Sequence, residues 1–212
     1  MYYAQKASST AASKKTVEDE SKLIDVLKKS DASRKDKADA LRLLGRVGSR
    51  ACVPVVAPLL NDDDFSHMAR YALEPIPDPS VDVALRDAVG KVKGRNLIGV
   101  IGSLGVRRDP KAVAILTPKL LAAEAGVSQA TARALGYVGT VEASQALEAA
   151  LPKLKEADRA AAFEGLFRCA EALVVQGQRG PATSIYEGLR KTNAPDLIHD
   201  DAARAVEALR KS

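Results

Sequence analysis

The chain has 212 residues, 46% of them apolar and 4% aromatic, with no tryptophan. That length suffices for one well-buried domain or one elongated array, and the aromatic-poor balance disfavours an aromatic-rich β core. A mild excess of 32 Lys+Arg over 27 Asp+Glu, net +5, takes its meaning from where the charges sit.

Residues 1–16, rich in Ser, Ala and Lys, have no apolar period and read as a flexible tail. Thr16, with Asp19 three residues on, suits the cap of a helix carrying Leu23, Ile24, Val26 and Leu27 on one stripe. From there the pattern predicts helix pairs. First helices are expected over 34–47, 63–74, 94–106, 127–138 and 157–176. Second helices are expected over 51–60, 80–90, 110–123, 141–155 and 181–191, with a last helix over 197–210. Gly48, Pro77 and Gly139 follow first helices, while Pro79, Pro110 and Pro181 stand near the starts of second ones. Pro54 suits a first turn. Pro58 and Pro118 fall inside predicted helices, and Pro118 is expected to kink its own.

A phrase recurs through these pairs. It reads Leu-Gly-Arg-Val-Gly at 44–48, Leu-Glu-Pro-Ile-Pro at 73–77, Leu-Gly-Val-Arg-Arg at 104–108 and Leu-Gly-Tyr-Val-Gly at 135–139. The leading leucines are 29, 31 and 31 residues apart, and a further 31 reaches Leu166. A constant step of this size marks stacked supersecondary units, each unable to bury its apolar face alone. Gly94, Gly99, Gly102 and Gly105 recur through one first helix, where glycine costs about 1 kcal/mol against alanine. Close approach of neighbouring backbones is the expected return, with a ligand-facing groove as the competing reading.

Charge is segmented along the array. Residues 1–50 carry 12 Lys/Arg against 7 Asp/Glu; 61–85 carry six acids and only Arg70; 86–119 carry eight bases against Asp87 and Asp109.

The chemical inventory is thin. Cys52 and Cys169 sit four repeats apart, roughly 40 Å at about 10 Å per packed layer, beyond the ~7 Å reach of a disulfide. Both read as small buried hydrophobes. His67 and His199 fall in different repeats, so neither joins the three or four ligands a zinc site needs. His199 with Asp200 and Asp201 reads better as an acidic, dipole-matched helix start than as a metal site. Asp62-Asp63-Asp64 reads as a helix cap, without the alternating oxygen ligands of a calcium loop. Gly99 to Gly105 lacks the preceding strand and the following Gly-Lys-Ser/Thr of a phosphate loop. Arg107 and Arg108, with Lys91, Lys93, Arg95 and Lys111, form the densest basic cluster, but no aromatic residue interleaves them for base stacking. No catalytic residue, cofactor or metal is expected.

The ~30-residue period with Ala134-Leu-Gly-Tyr-Val-Gly139 resembles the short HEAT-like repeat of the phycobilisome-lyase type. Ser66-His-Met-Ala-Arg-Tyr-Ala-Leu-Glu-Pro-Ile-Pro-Asp-Pro-Ser80, running on to Gly102-Ser-Leu-Gly-Val-Arg-Arg-Asp109, resembles HEAT-repeat proteins of planctomycete-type bacteria. The likeness covers about residues 17–170, and 170–190 drift towards a tetratricopeptide-like pattern. The resemblance implies an all-α, right-handed, armadillo-like α-solenoid of about five to six antiparallel helix pairs, one domain over 17–212 used for protein binding. It carries over no catalytic residue. Repeated His-Glu pairs of the di-iron hydroxylase type are missing, since Met68 follows His67 and Asp200 follows His199. The alkylpurine glycosylase type sets aromatic residues in a basic groove, and this chain has no tryptophan.

The expected function is a non-enzymatic scaffold holding another protein, with Arg70, Tyr71, Arg86, Arg107 and Arg108 as its candidate surface. Two alternatives stand beside it: nucleic-acid or anionic-surface binding through 86–119, which is disfavoured, and a lyase- or chaperone-like handling of a cofactor. No apolar run approaches the ~20 residues that span a bilayer, and the start lacks the apolar core of a secretory signal. A soluble cytoplasmic bacterial protein is expected, or an exported one if an upstream signal was removed. Partner identity and oligomeric state stay open.

Overall fold

A computed structural model describes residues 19–211, and every regular element among them is helical. The expected tail and the Thr16 cap lie outside the described residues. The chain divides into two compact units, one ending at Val92 and the other beginning at Lys93.

The first unit opens with helical residues 19–28 (α1) and α2, Arg34–Val47. Next comes a composite segment: a 3-10 turn Arg50–Cys52, α3 Val53–Val56 and a 3-10 turn Ala57–Asn61. Then follow α4, Ser66–Leu73, and α5, Pro79–Val89. Ser33 starts α2 by accepting the Asp36 N–H at 3.1 Å, as an N-cap should. Helix α2 packs on α4, and the composite segment packs against α4 and α5. Leu41, Leu44, Val56, Leu60, Leu73 and Leu85 fill the core. Glu20 is buried with its carboxylate satisfied. It accepts from the Ser49 N–H at 2.7 Å and the Ser49 hydroxyl at 2.9 Å, tying α1 to the start of the composite segment.

The second unit begins with α6, Gly94–Val106, and a second composite segment: 3-10 Pro110–Ala112, α7 Val113–Leu116 and 3-10 Thr117–Leu121. It continues with α8 Val127–Val138, α9 Val141–Ala150, α10 Glu156–Val175, α11 Arg179–Leu189 and α12 Asp196–Lys211. Helix α6 packs on α8, α8 on α10, and α10 on α9 and α11, with α12 closing against α11. Packing between sequential neighbours makes the fold all-α and solenoid-like.

Two predicted second helices, 51–60 and 110–123, are not continuous α-helices. Each passes from 3-10 through four residues of α-helix back to 3-10, and a third, predicted over 141–155, is α-helical only to Ala150 and ends in the 3-10 turn Leu151–Lys153. Proline is the cause. Pro54, Pro58, Pro110 and Pro118 each occupy one of the first two positions of a segment, where no intrasegment N–H is needed. At Pro118, where a kink is expected, the backbone tightens to 3-10 at Thr117, whose hydroxyl donates to the Val113 carbonyl at 2.7 Å. The predicted first helix 63–74 shortens to α4 because Asp62 caps a turn ahead of it, accepting from the Asp64 and Phe65 N–H groups at 2.8 and 3.0 Å.

The recurring phrase has a direct physical meaning. Leu44, Leu73, Leu104 and Leu135 are fully buried. The glycine that follows sets how closely first helices approach. A Cβ on Gly105 would stand 2.8 Å from Ala134 Cα, and one on Gly136 would stand 2.7 Å from Gly165 Cα. Of the glycines at 94, 102 and 105, only Gly105 meets a neighbouring backbone. Gly102 faces open space, and Gly94 takes a positive φ of 56° while its N–H donates to Glu124. A second device repeats beside it. Ser66 and Ser128, near the starts of α4 and α8, donate to Leu60 O at 2.8 Å and Leu120 O at 2.6 Å. Each hydroxyl satisfies a carbonyl at the end of the composite segment just before it.

Candidate functional site

In the first unit the composite segment 50–61 and α5 stand apart enough to leave a groove of about 650 Å³. Its lining is largely apolar, with Val53, Pro54, Ala57, Pro58, Leu60, Val83 and Ala84. Arg50, Asn61, Ser80, Asp87 and Lys91 supply the polar groups, and the Ser80 hydroxyl is buried without a hydrogen-bond partner among the described residues. The prolines build it twice over: they shorten the turns of the segment and present rigid apolar faces. Val83 is 47% exposed, high for a β-branched aliphatic residue, and it lies in this lining. A volume of this order is in the range of about 300–1,000 Å³ of ligand and side-chain sites.

In the second unit a smaller hollow of about 230 Å³ is lined by Arg108, Gly136, Tyr137, Arg168, Glu171, Ala172, Val175 and Gln176. The Arg168 guanidinium lies 4.8 Å from the centre of the Tyr137 ring, a cation–π contact. Tyr137 is 42% exposed and Val175 88%. Arg108 closes α6 in the left-handed region at φ 52°, the one non-glycine residue with positive φ among those described. Its N–H reaches Gly105 O at 2.9 Å, and the Asp109 N–H reaches Leu104 O at 3.3 Å, the paired bonds of a helix end that ordinarily recruits glycine. Gly139 fills the same place after α8, at φ 65°.

The other sequence candidates take different places. Arg70 and Tyr71 sit side by side on α4. The Tyr71 ring rests on Gly45, whose added Cβ would stand 2.6 Å from it. Arg70 is half-buried, its Nε without a hydrogen-bond partner among the described residues; burial pulls its guanidinium below the ordinary value, against Glu74. Arg86 is half-buried on α5, and neither it nor Arg70 nor Tyr71 lines the groove. Arg107 is half-buried beside Arg108 and holds a partner of its own. Sequence reasoning missed Arg50 and Val83, and placed Lys91 only in the basic cluster of 86–119, because nothing in one dimension says that two prolines hold a groove open. It also missed Tyr137 and Arg168. There the signal was available, since Val106, Tyr137 and Arg168 are each 31 residues apart and so share one position of the repeat.

Among the described residues no cluster of three or more His, Cys, Asp or Glu is placed to hold a metal ion. His67 Nδ1 faces Arg70 at 3.4 Å, and His199 Nε2 faces the Arg190 carbonyl at 2.9 Å. Cys52 and Cys169 are free and buried, and burial pushes their thiols up to about 11 and about 12. Thiols held neutral in this way are poor nucleophiles. No helix among the described residues is long and apolar enough to cross a membrane.

No family model matches the chain, and no curated protein matches it. Solved structures do. An engineered protein determined by the Northeast Structural Genomics Consortium superposes with a TM-score of 0.52 at 17% identity, over 91% of this chain and 97% of its own. A second engineered protein from the same consortium gives 0.52 at 18%, over 90% of this chain and 57% of its own length. At such identities the likeness shows the fold alone: an all-helical array, with no activity attached.

Proposed function

We propose that the protein is a non-enzymatic scaffold, built on the short HEAT-like repeats its sequence resembles, that holds another protein. The 650 Å³ groove of the first unit carries the reading. It joins an apolar floor, an exposed valine and three charged residues, the composition of a surface that desolvates a partner's side chain and orients it by its rim. No group in it supports bond-making chemistry.

A photo-crosslinking residue at Val83 tests this directly. In an extract of the native source it is expected to give one discrete protein adduct, absent from the same residue placed at the exposed Lys35 of α2 and suppressed by Ala84→Trp, which fills the groove. Equal adducts at both positions, or none, would overturn the reading. A chromophore or ion co-purifying with the chain, seen by absorbance and metal analysis, would favour cofactor handling instead. Binding to duplex or single-stranded nucleic acid that falls steeply with salt would favour the 86–119 alternative.

A further inference from the structure

We infer that the hollow at Arg108, Tyr137 and Arg168 is a second recognition site, taking an acidic segment of a protein partner in which a carboxylate stands next to an aliphatic side chain. The inference rests on the scaffold reading and specifies the chemistry of what is held. Its first support is charge. Arg108 and Arg168 line one hollow, and neither side chain forms an ion pair with any described residue. Guanidinium is the side chain best shaped for planar, two-point recognition of a carboxylate.

Backbone geometry is the second support. Arg108 holds a left-handed conformation that costs a non-glycine residue free energy, at the helix end where the next repeat carries Gly139. The third is the apolar surround. Val175, 88% exposed, and Ala172 line the hollow beside its polar groups. Arg168 is also pre-ordered by its stack on Tyr137, which lowers the entropy lost on binding. At about 230 Å³ the hollow is smaller than ordinary small-molecule sites. Glu171 in the lining opposes a multiply charged phosphate more than a single carboxylate, which favours a protein segment over nucleic acid.

The test uses the full chain and fluorescence anisotropy with three labelled probes: a peptide alternating Glu and Leu, the same peptide with Gln for Glu, and a thymidine oligonucleotide of equal charge. Saturable binding of the Glu–Leu peptide is expected, at least tenfold tighter than either control. Arg168→Gln is expected to weaken it tenfold or more. Arg108→Gly is the decisive variant. It is expected to weaken binding to the same degree while leaving the melting temperature unchanged or raised by roughly 2–4 °C, because glycine relieves the strained backbone. Equal affinity for the Glu and Gln peptides, equal affinity for the oligonucleotide, or wild-type binding by Arg108→Gly would each overturn the proposal. A failure here with the Val83 adduct intact would remove this site and leave the scaffold reading standing.

Discussion

At the residue scale, most of the architecture turns on where a Cβ is missing. Gly136 of α8 faces Gly165 of α10, with 2.7 Å between a notional Cβ on Gly136 and the Gly165 Cα. Gly136→Ala forces the two helices apart and is expected to cost about 1–3 kcal/mol, as overpacking does. Gly102→Ala gives the contrast. Its Cβ meets nothing within 4 Å, so it is expected to stabilise by up to about 1 kcal/mol through helix propensity alone. Urea denaturation of the two variants checks both signs, and a stable Gly136→Ala would show that α8 and α10 are free to separate. Close packing at Gly105 was legible in the sequence because glycines recur through its helix. The roles of Gly94 and Gly102 were not, because φ and the distance to a neighbour are invisible without coordinates.

At the element scale, the hydroxyl that joins a first helix to the preceding segment recurs at Ser66 and Ser128. Ser128→Ala strands the Leu120 carbonyl in the core and is expected to cost about 1–3 kcal/mol in the same denaturation assay. No measurable loss would mean that water takes over the bond. Helix positions were readable from apolar periodicity to within a residue or two at most ends, as α6 and α8 show. Helix type was not. Pro54, Pro58, Pro110 and Pro118 announce a disturbance, but whether it becomes a kink or a passage into 3-10 depends on the local backbone, which the sequence does not show. The groove follows from that choice, and so it too stayed out of reach.

At the scale of the whole molecule, buried titrating groups set how stability responds to pH. The thiols of Cys52 and Cys169 are pushed up to about 11 and about 12 by burial, from an ordinary 9.0. The unfolded chain therefore loses these protons first. Their contribution is complete below the unfolded value and is lost as pH rises towards the folded ones. The urea midpoint is expected to fall between about pH 8 and pH 10.5, and less steeply in a Cys52→Ala/Cys169→Ala variant. Identical slopes would place the titration elsewhere, with Tyr186, also raised to about 12, as the next group to remove. The repeat period settled the fold because it is a property of the entire chain. The candidate site was only partly legible: Arg108 stands where other copies of the phrase close on Gly48 or Gly139, whereas the meeting of Tyr137 and Arg168 with it in one hollow depends on how the helices pack.

The contacts at Gly105 and Gly136 carry one more consequence. There, main chain meets main chain with almost nothing between, so the rise from one layer to the next is dictated by the thickness of the polypeptide itself. Every protein shares that thickness, whatever its side chains. Substitutions on the outward positions of α6, α8 and α10 can then accumulate without altering the pitch, so that the surface changes while the frame keeps the same measure.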